Sequence, residues 1–152
     1  MTTFLETTID KFTFRVAEDR FYSKDGLWIL PMAASEATRV LIGVSDFLQQ
    51  RSGDVAFSEM RPAGERILAG EEAGTIETVK ITFSLASPVD GMIIERNPAL
   101  EKTPEIINQD PYGNGWLIIM DVPDWDSQKS RLLSAEAYFN LMKEQAVEEL
   151  NR

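Results

Sequence analysis

The chain has 152 residues, of which 43% are hydrophobic and 26% are charged, a balance typical of one globular domain. Its 15 basic and 25 acidic residues give a net charge of -10, which repels phosphate backbones and anionic lipid, so neither nucleic acid nor a membrane is an expected partner. Cysteine and histidine are both absent, which excludes thiolate nucleophiles, the usual general base and the common metal ligands. We therefore expect a protein that is not an enzyme.

The apolar segments are too short for a membrane span. The run GWLIIM at 115–120 is far below bilayer length, and the opening MTTFLETTID lacks the basic start and apolar core of a secretory signal. The carboxylates are scattered among polar residues, as on a solvated surface, rather than paired for acid and base catalysis. These features predict a cytoplasmic protein.

An N-terminal extension is predicted over residues 1–19, ahead of a single domain over residues 20–152. Within the extension, FTFRV at 12–16 alternates between apolar and polar residues. This pattern indicates either a strand or a loosely attached arm.

The next segment predicts two strands followed by a short helix. LWILPM at 27–32 and TRVLIGV at 38–44 are apolar and β-branched, and AASEA at 33–37 is a polar connection between them. Ser45 is suited to cap a helix N-terminus and Gly53 to end that helix. One or two helical turns are therefore expected between these two residues.

Further strands with glycine and proline turns follow. They are DVAFSEM at 54–60, GTIETV at 74–79, ITFSLA at 81–86, MIIERN at 92–97 and WLIIM at 116–120. The polar segment at 97–115 is predicted to be a long connection. Short strands at regular spacing favour a barrel or sandwich of antiparallel strands.

Over residues 127–150 the spacing of the apolar residues changes to that of a helix. Tyr138, Met142, Ala146 and Leu150 recur every four residues, which predicts an amphipathic C-terminal helix packed on the sheet.

The three tryptophans have different expected environments. Trp28 and Trp116 occur in apolar strands and are expected in the core or in the wall of a cleft. Trp125 lies between two aspartates and is expected to be partly exposed.

Lys80 stands at the bend between two predicted strands, where a side chain is most exposed. A primary amine that is to be acylated must be reachable, and a hairpin tip presents it to a modifying enzyme. The alternative is an ordinary solvated turn lysine, since turns collect polar residues. The position permits a covalent attachment without requiring one.

Four segments of the chain stand out together: GEEAGTIETVK ending at Lys80, SPVDG at 87–91, NPALEKTPEIINQDPYGNGWLI at 97–118 and LLSAEAY at 132–138. They resemble the H protein of the glycine cleavage system, a lipoyl carrier. The resemblance extends from residue 20 to residue 138, and its most specific part is NQDPYGNGW.

By this resemblance, Lys80 is the lipoate attachment site. Glu77, three residues earlier, and Gly91, eleven residues later, match positions that the lipoylating enzyme recognises. The implied fold is mainly β, a hybrid-motif barrel-sandwich of two antiparallel sheets with a short inserted helix and a C-terminal α-helix. Biotin is a weaker alternative, because biotinylated lysines usually lie between methionines and Lys80 lies between Val79 and Ile81.

The resemblance implies a carrier whose lipoyl-lysine arm moves a covalently bound intermediate between partner enzymes. The implied partners include a lipoate ligase or lipoyltransferase, and dihydrolipoamide dehydrogenase to reoxidise the arm. Lipoate supplies the redox chemistry that a chain without cysteine lacks.

The chain departs from the family pattern at positions that concern the cargo. Where the family has a His-Glu-Trp segment, this chain has Gly26 and Leu27 before Trp28, and it has Ile81 and Ser84 where the family has a small residue and an aspartate. The missing carboxylates help the family to hold an amine-bearing arm, and leucine or serine cannot neutralise an amine as a carboxylate does.

These departures favour a sulfur cargo. Divergent H-like lipoate-binding proteins of bacterial sulfur oxidation act with heterodisulfide-reductase-like complexes. The alternative is a true glycine cleavage H protein, which takes an aminomethyl group from glycine decarboxylase to aminomethyltransferase. A further alternative is an unmodified interaction module that kept the scaffold and lost the cofactor.

Overall fold

The computed structural model describes residues 1–32 and 38–151, so the predicted polar connection AASEA lies outside the described residues. The strands are β1 Phe4–Ile9, β2 Phe12–Ala17, β3 Phe21–Tyr22, β4 Leu27–Pro31, β5 Arg39–Val44, β6 Val55–Met60, β7 Arg66–Ile67, β8 Glu72–Thr78, β9 Thr82–Ala86, β10 Gly91–Arg96 and β11 Ile118–Asp121. The α-helices are α1 Asp46–Ser52, α2 Ile106–Gln109, α3 Trp125–Lys129 and α4 Ala135–Leu150.

The strands that the structure describes form three antiparallel sheets. The largest has the order β3-β4-β5-β11-β10-β7, the second has the order β6-β8-β9, and β1 pairs only with β2. The predicted mainly β fold, with a short inserted helix and a C-terminal helix, is confirmed. The β1-β2 hairpin is an addition to the two sheets that the sequence predicted.

The two larger sheets enclose the main hydrophobic core. Its side chains are almost wholly removed from water and come from both sheets: Ile29, Val40, Ile42, Ile67, Ile76, Leu85, Ile93 and Met120. Each such side chain contributes about 1.5–3 kcal/mol through burial. The apolar runs that predicted these strands therefore have their physical origin in this core.

A second core attaches the N-terminal hairpin to the helices. Phe14 and Val16 of β2 are buried with Trp28, Phe47 and Tyr138. The strand predicted at residues 12–16 is confirmed, and the alternative of a loosely attached arm is wrong because these apolar side chains need a partner surface. The β1-β2 hairpin packs against both α1 and α4.

Helix α1 begins and ends as the sequence predicted. The Ser45 hydroxyl accepts a hydrogen bond from the Leu48 N–H at 3.2 Å, and Gly53 ends the helix with φ at +90°, a conformation that favours glycine. Ser45 also shares a hydrogen bond of 2.9 Å with the Tyr138 hydroxyl. Burial raises the pKa of Tyr138 to about 12, so this phenol keeps its proton at neutral pH.

The predicted single helix over 127–150 is wrong in its first part. The chain forms α3, leaves helical geometry at residues 130–134, and begins again at α4. The break places Leu133 in a bridge with Tyr22, and the Ser134 hydroxyl then accepts the Ala137 N–H at 3.1 Å. Within α4 the predicted stripe is buried as far as Ala146, whereas Leu150 is 48% exposed.

The segment at 97–115 has more structure than the predicted connection. It contains a 3-10 turn at Pro98–Leu100 and the four-residue helix α2. The Asn97 side chain accepts the Ala99 N–H at 3.0 Å and donates to the Asn114 and Trp116 carbonyls. These bonds hold the segment against the end of the larger sheet.

Two predictions for the tryptophans are confirmed and one is wrong. Trp28 is fully buried, and Trp116 is half-buried against the second core, although it precedes β11 rather than lying within the strand as predicted. Trp125 is only 8% exposed, because its ring packs edge-on against Phe21 at a centroid distance of 5.6 Å. In the described part of the chain, no helix is long and apolar enough to cross a membrane.

The Trp28 indole occupies the space that a side chain at Gly43 would need. A Cβ placed on Gly43 would overlap the indole ring across the β4-β5 pair. We expect Gly43→Ala to lower the free energy of unfolding by about 1–3 kcal/mol, measured by urea denaturation. The cost should shrink in a Trp28→Leu background, since leucine lacks the overlapping atoms; additive costs of the two substitutions would contradict this explanation.

Candidate functional site

Lys80 lies at the tip of the β8-β9 hairpin. The strands pair as far as Glu77 and Thr82, so the chain reverses direction through Val79, Lys80 and Ile81. Lys80 is exposed, and its neighbours Val79 and Ile81 are 75% and 50% exposed. The bend predicted at this lysine is confirmed.

The hydroxyl of Thr78 fixes the shape of this tip. It accepts the N–H groups of Lys80 and Ile81, each at 3.1 Å, and donates to the Ser52 carbonyl at 2.7 Å. The Thr78 N–H also donates to the Ile81 carbonyl at 2.8 Å. Because Ser52 is the last residue of α1, the hairpin tip is joined directly to that helix.

Thr78 was not among the site residues inferred from the sequence. Serine and threonine hydroxyls bond to nearby backbone N–H groups in turns, so a threonine two residues before a predicted bend was the available signal. Its hydrogen bond to Ser52 links residues far apart in the chain, so the residues next to Thr78 in the sequence do not predict it.

The aliphatic stem of Lys80 lies over Gly53. A Cβ placed on Gly53 would come within 3.3 Å of both Cγ and Cδ of Lys80. Gly53 therefore serves two purposes, because it ends α1 in a left-handed conformation and leaves room for the lysine stem. The stem is directed along the C-terminal end of α1 rather than straight away from the hairpin.

The structure places the other two predicted recognition residues in different surroundings. Glu77 is exposed on β8, in the same hairpin as Lys80 and opposite Thr82. Gly91 begins β10 in the other sheet, where a Cβ would strike the Asp121 carbonyl oxygen. Packing alone is thus enough to require glycine at position 91.

Residues of the hairpin line two grooves. The first, called here the Lys80 groove, has a volume of about 280 Å³ and lies between Lys80, the β1-β2 hairpin, α1 and the last turns of α4. The second, called here the Leu27 groove, has a similar volume of about 280 Å³ and is lined by Asp25, Leu27, Phe83 and Ser84 among others.

The Leu27 groove brings together two of the positions at which the chain departs from the family pattern. Leu27 and Ser84 both line it, as the resemblance implied, but Asp25 lines it as well. The Ser84 hydroxyl donates to the Glu72 carboxylate at 3.2 Å. Two carboxylates therefore lie in or beside this groove, although neither occupies the family's acidic positions.

The arrangement is suited to carrying a covalently attached group. In the described residues, no cluster of three or more acidic side chains could hold a metal ion. What the site offers is an exposed primary amine on a turn held by hydrogen bonds, with two grooves nearby. These are the requirements for attaching a long acyl group that must reach a partner's active site.

Comparisons with known proteins agree with this geometry. The family model described as glycine cleavage H-protein matches residues 20–145. The glycine cleavage system H protein of a Thermus thermophilus strain is 40% identical over 134 residues, covering 86% of this chain and 98% of that protein. That of Bacteroides fragilis is 42% identical over 117 residues, covering 77% of this chain and 89% of that protein.

A solved structure shows the same fold. The crystal structure of a glycine cleavage system H protein from Mycobacterium marinum superimposes with a TM-score of 0.70 at 35% identity, covering 80% of this chain and 94% of that chain. Proteins of this family are carriers rather than enzymes, and they bear lipoate covalently on a lysine. The chain belongs to the glycine cleavage H-protein family.

Proposed function

We propose that Lys80 bears the lipoyl group and that the chain carries an aminomethyl group in glycine cleavage. The observation that supports this most strongly is the exposed amine of Lys80 on a turn fixed by Thr78. A lysine that must be acylated by one enzyme and then enter the active sites of others needs an accessible amine and a defined direction. The hairpin provides both.

The residues around Lys80 fit a lipoyl group. Bound lipoate supplies a cyclic disulfide that is reduced to a dithiol, chemistry for which this chain has no cysteine. Gly53 leaves space for the lysine stem, and the exposed residues on either side of Lys80, Val79 and Ile81, are uncharged. The Thr78 hydroxyl joins the turn to α1 through its hydrogen bond to the Ser52 carbonyl.

The comparisons favour an aminomethyl cargo over the sulfur cargo that the sequence suggested. The similar proteins are named glycine cleavage system H protein, and nothing in those names supports heterodisulfide-reductase-like partners. The Leu27 groove supports the same choice, because Asp25 and the Glu72 carboxylate beside Ser84 can attract a protonated amine. The replacement of the family's acids therefore does not remove negative charge from the groove.

The proposed partners are those that a glycine cleavage carrier requires. They are a lipoate ligase or lipoyltransferase, glycine decarboxylase, aminomethyltransferase and dihydrolipoamide dehydrogenase. The net charge of -10 suits approach to basic surfaces on these larger proteins.

Intact-mass measurement tests the attachment site. In cells that supply lipoate and a lipoylating enzyme, we expect one lipoyl mass gain on the wild-type chain and none on Lys80→Arg, which keeps the charge but has no acylable amine. Lys11→Arg is the matched control and should be modified normally. A gain that persists in Lys80→Arg rejects the site, and a folded wild-type chain that is never lipoylated favours the unmodified interaction module.

Glu77 and Gly91 are proposed to act in recognition by the lipoylating enzyme, and we expect substitutions at the two positions to have different effects. Glu77→Gln should slow lipoylation about threefold or more without changing the urea midpoint, because Glu77 is exposed. Gly91→Ala should lower the free energy of unfolding by about 1–3 kcal/mol, because its Cβ strikes the Asp121 carbonyl. Normal lipoylation kinetics of Glu77→Gln would remove that residue from the recognition surface.

Asp25 is proposed to hold the protonated amine of the cargo. Asp25→Asn should shorten the lifetime of the aminomethyl-loaded carrier about threefold, a modest effect because the carboxylate is exposed. The lifetime can be followed by intact mass after loading with glycine and glycine decarboxylase. Asp126→Asn on α3 is the control, and an equal lifetime of Asp25→Asn and wild type would contradict this role.

A further inference from the structure

One wall of the Lys80 groove lies before the region that the family model matches. The match covers residues 20–145, whereas this wall contains Ile9, Phe12 and Phe14 of the β1-β2 hairpin. The opposite wall contains Ala146 and Leu150, which are the last turns of α4, a helix that begins within the matched region. The groove is therefore closed on one side by a hairpin that the family model does not match.

The first wall is fastened to α1 rather than merely resting on it. The Arg15 N–H donates to the Asp46 carboxylate at 2.9 Å, and the Gln50 side chain donates to the Thr13 carbonyl at 2.9 Å. The Phe14 ring packs edge-on against Phe47 at a centroid distance of 5.3 Å. These contacts hold β2 at a constant distance from the helix that ends beneath Lys80.

The second wall is joined to the same helix. An ion pair of 3.0 Å connects Arg51 on α1 with Glu149 on α4, at the edge of the groove. Ala146 is buried, and Leu150 in the next turn is 48% exposed at the rim. Helix α4 thus contributes an apolar surface that faces Phe12, which is 44% exposed.

The stem of Lys80 already leads into this groove. Its Cγ, Cδ and Cε lie against Gly53, and the lysine lines the groove together with Gln50 and Arg51. The Leu27 groove, in contrast, is reached further along β9, at Phe83 and Ser84. A group attached to the Lys80 amine therefore meets the Lys80 groove first.

We propose that the lipoyl group, when it carries no cargo, docks in the Lys80 groove between the β1-β2 hairpin and α4. This inference rests on the proposed attachment at Lys80. A hydrocarbon chain ending in a disulfide ring is apolar, so placing it against Phe12, Phe14 and Leu150 removes apolar surface from water on both sides. The N-terminal hairpin is thereby a shelter for the resting arm.

The rate at which the lipoyl disulfide is reduced provides a direct test. The full-length chain is lipoylated, its mass is confirmed, and dithiothreitol is added in excess; iodoacetamide then traps the thiols for counting by intact mass. Because the chain has no cysteine, every trapped thiol comes from the lipoyl group. Docking should slow the reduction of the lipoyl disulfide. A variant in which the docked arm loses the burial of even one or two methylene groups should be reduced about fourfold faster than wild type, or more.

Two variants open the groove from opposite walls. Phe12→Asp and Leu150→Asp should each accelerate reduction of the lipoyl disulfide. Because the two substitutions lie in opposite walls, the same acceleration in both is not explained by local unfolding of a single wall. Phe57→Asp is the matched control, since Phe57 is 52% exposed on β6 and does not line the groove. This substitution adds the same charge, and the lipoyl disulfide of the variant should be reduced at the wild-type rate.

Methyl NMR spectra report the docking position independently. Lipoylation should shift the methyl signals of Ile9 and Ala146, which line the Lys80 groove. Shifts confined to Leu27 and Leu85 of the other groove would overturn the inference. A dimer of the unmodified chain that Leu150→Asp dissociates would also overturn it, because the groove would then belong to a second copy.

The outcomes separate the two proposals. A lipoylated chain whose reduction rate is the same in wild type, Phe12→Asp and Leu150→Asp overturns the docking inference alone. A chain without a lipoyl group on Lys80 overturns the proposed function, and the docking inference with it.

Discussion

The hydroxyl of Thr78 is the contact on which the rest of the site depends. By accepting two N–H groups of the turn and donating to the carbonyl that ends α1, it joins the hairpin tip to a helix from another part of the chain. One such bond contributes only about 1 kcal/mol, but it determines direction as well as stability. With the tip joined to α1 in this way, the Lys80 stem lies over Gly53.

The sequence predicts those features that depend on neighbouring residues. The caps of α1 at Ser45 and Gly53 and the bend at Lys80 follow from residues adjacent in the chain, and all three are present. The environment of Trp125 was predicted wrongly because its flanking aspartates indicate exposure, whereas burial comes from Phe21, on a strand distant in the chain. The break before α4 has the same origin, since Leu133 pairs with Tyr22.

The grooves show the same division between local and distant information. The family resemblance allows the inference that Leu27 and Ser84 lie together. Only the three-dimensional structure shows that Asp25 lies nearby and that Ser84 bonds to Glu72. The charge of a site is the sum over all elements that surround it, whereas a motif compares one position at a time. An acid lost at one position can therefore be replaced from a different strand without any trace in the motif.

A shelter for the resting arm must be weak if the carrier is to work. If docking is favoured tenfold over the free arm, only about a tenth of the arms are available at any moment, and apparent affinity for each partner falls by the same factor. The Lys80 groove matches this limit, because its rim residues Phe12 and Leu150 remain about half exposed and its volume is small. A deep apolar pocket would protect the disulfide better but would retain the arm. A shallow groove beside a fixed hairpin shelters the arm and still releases it to each partner.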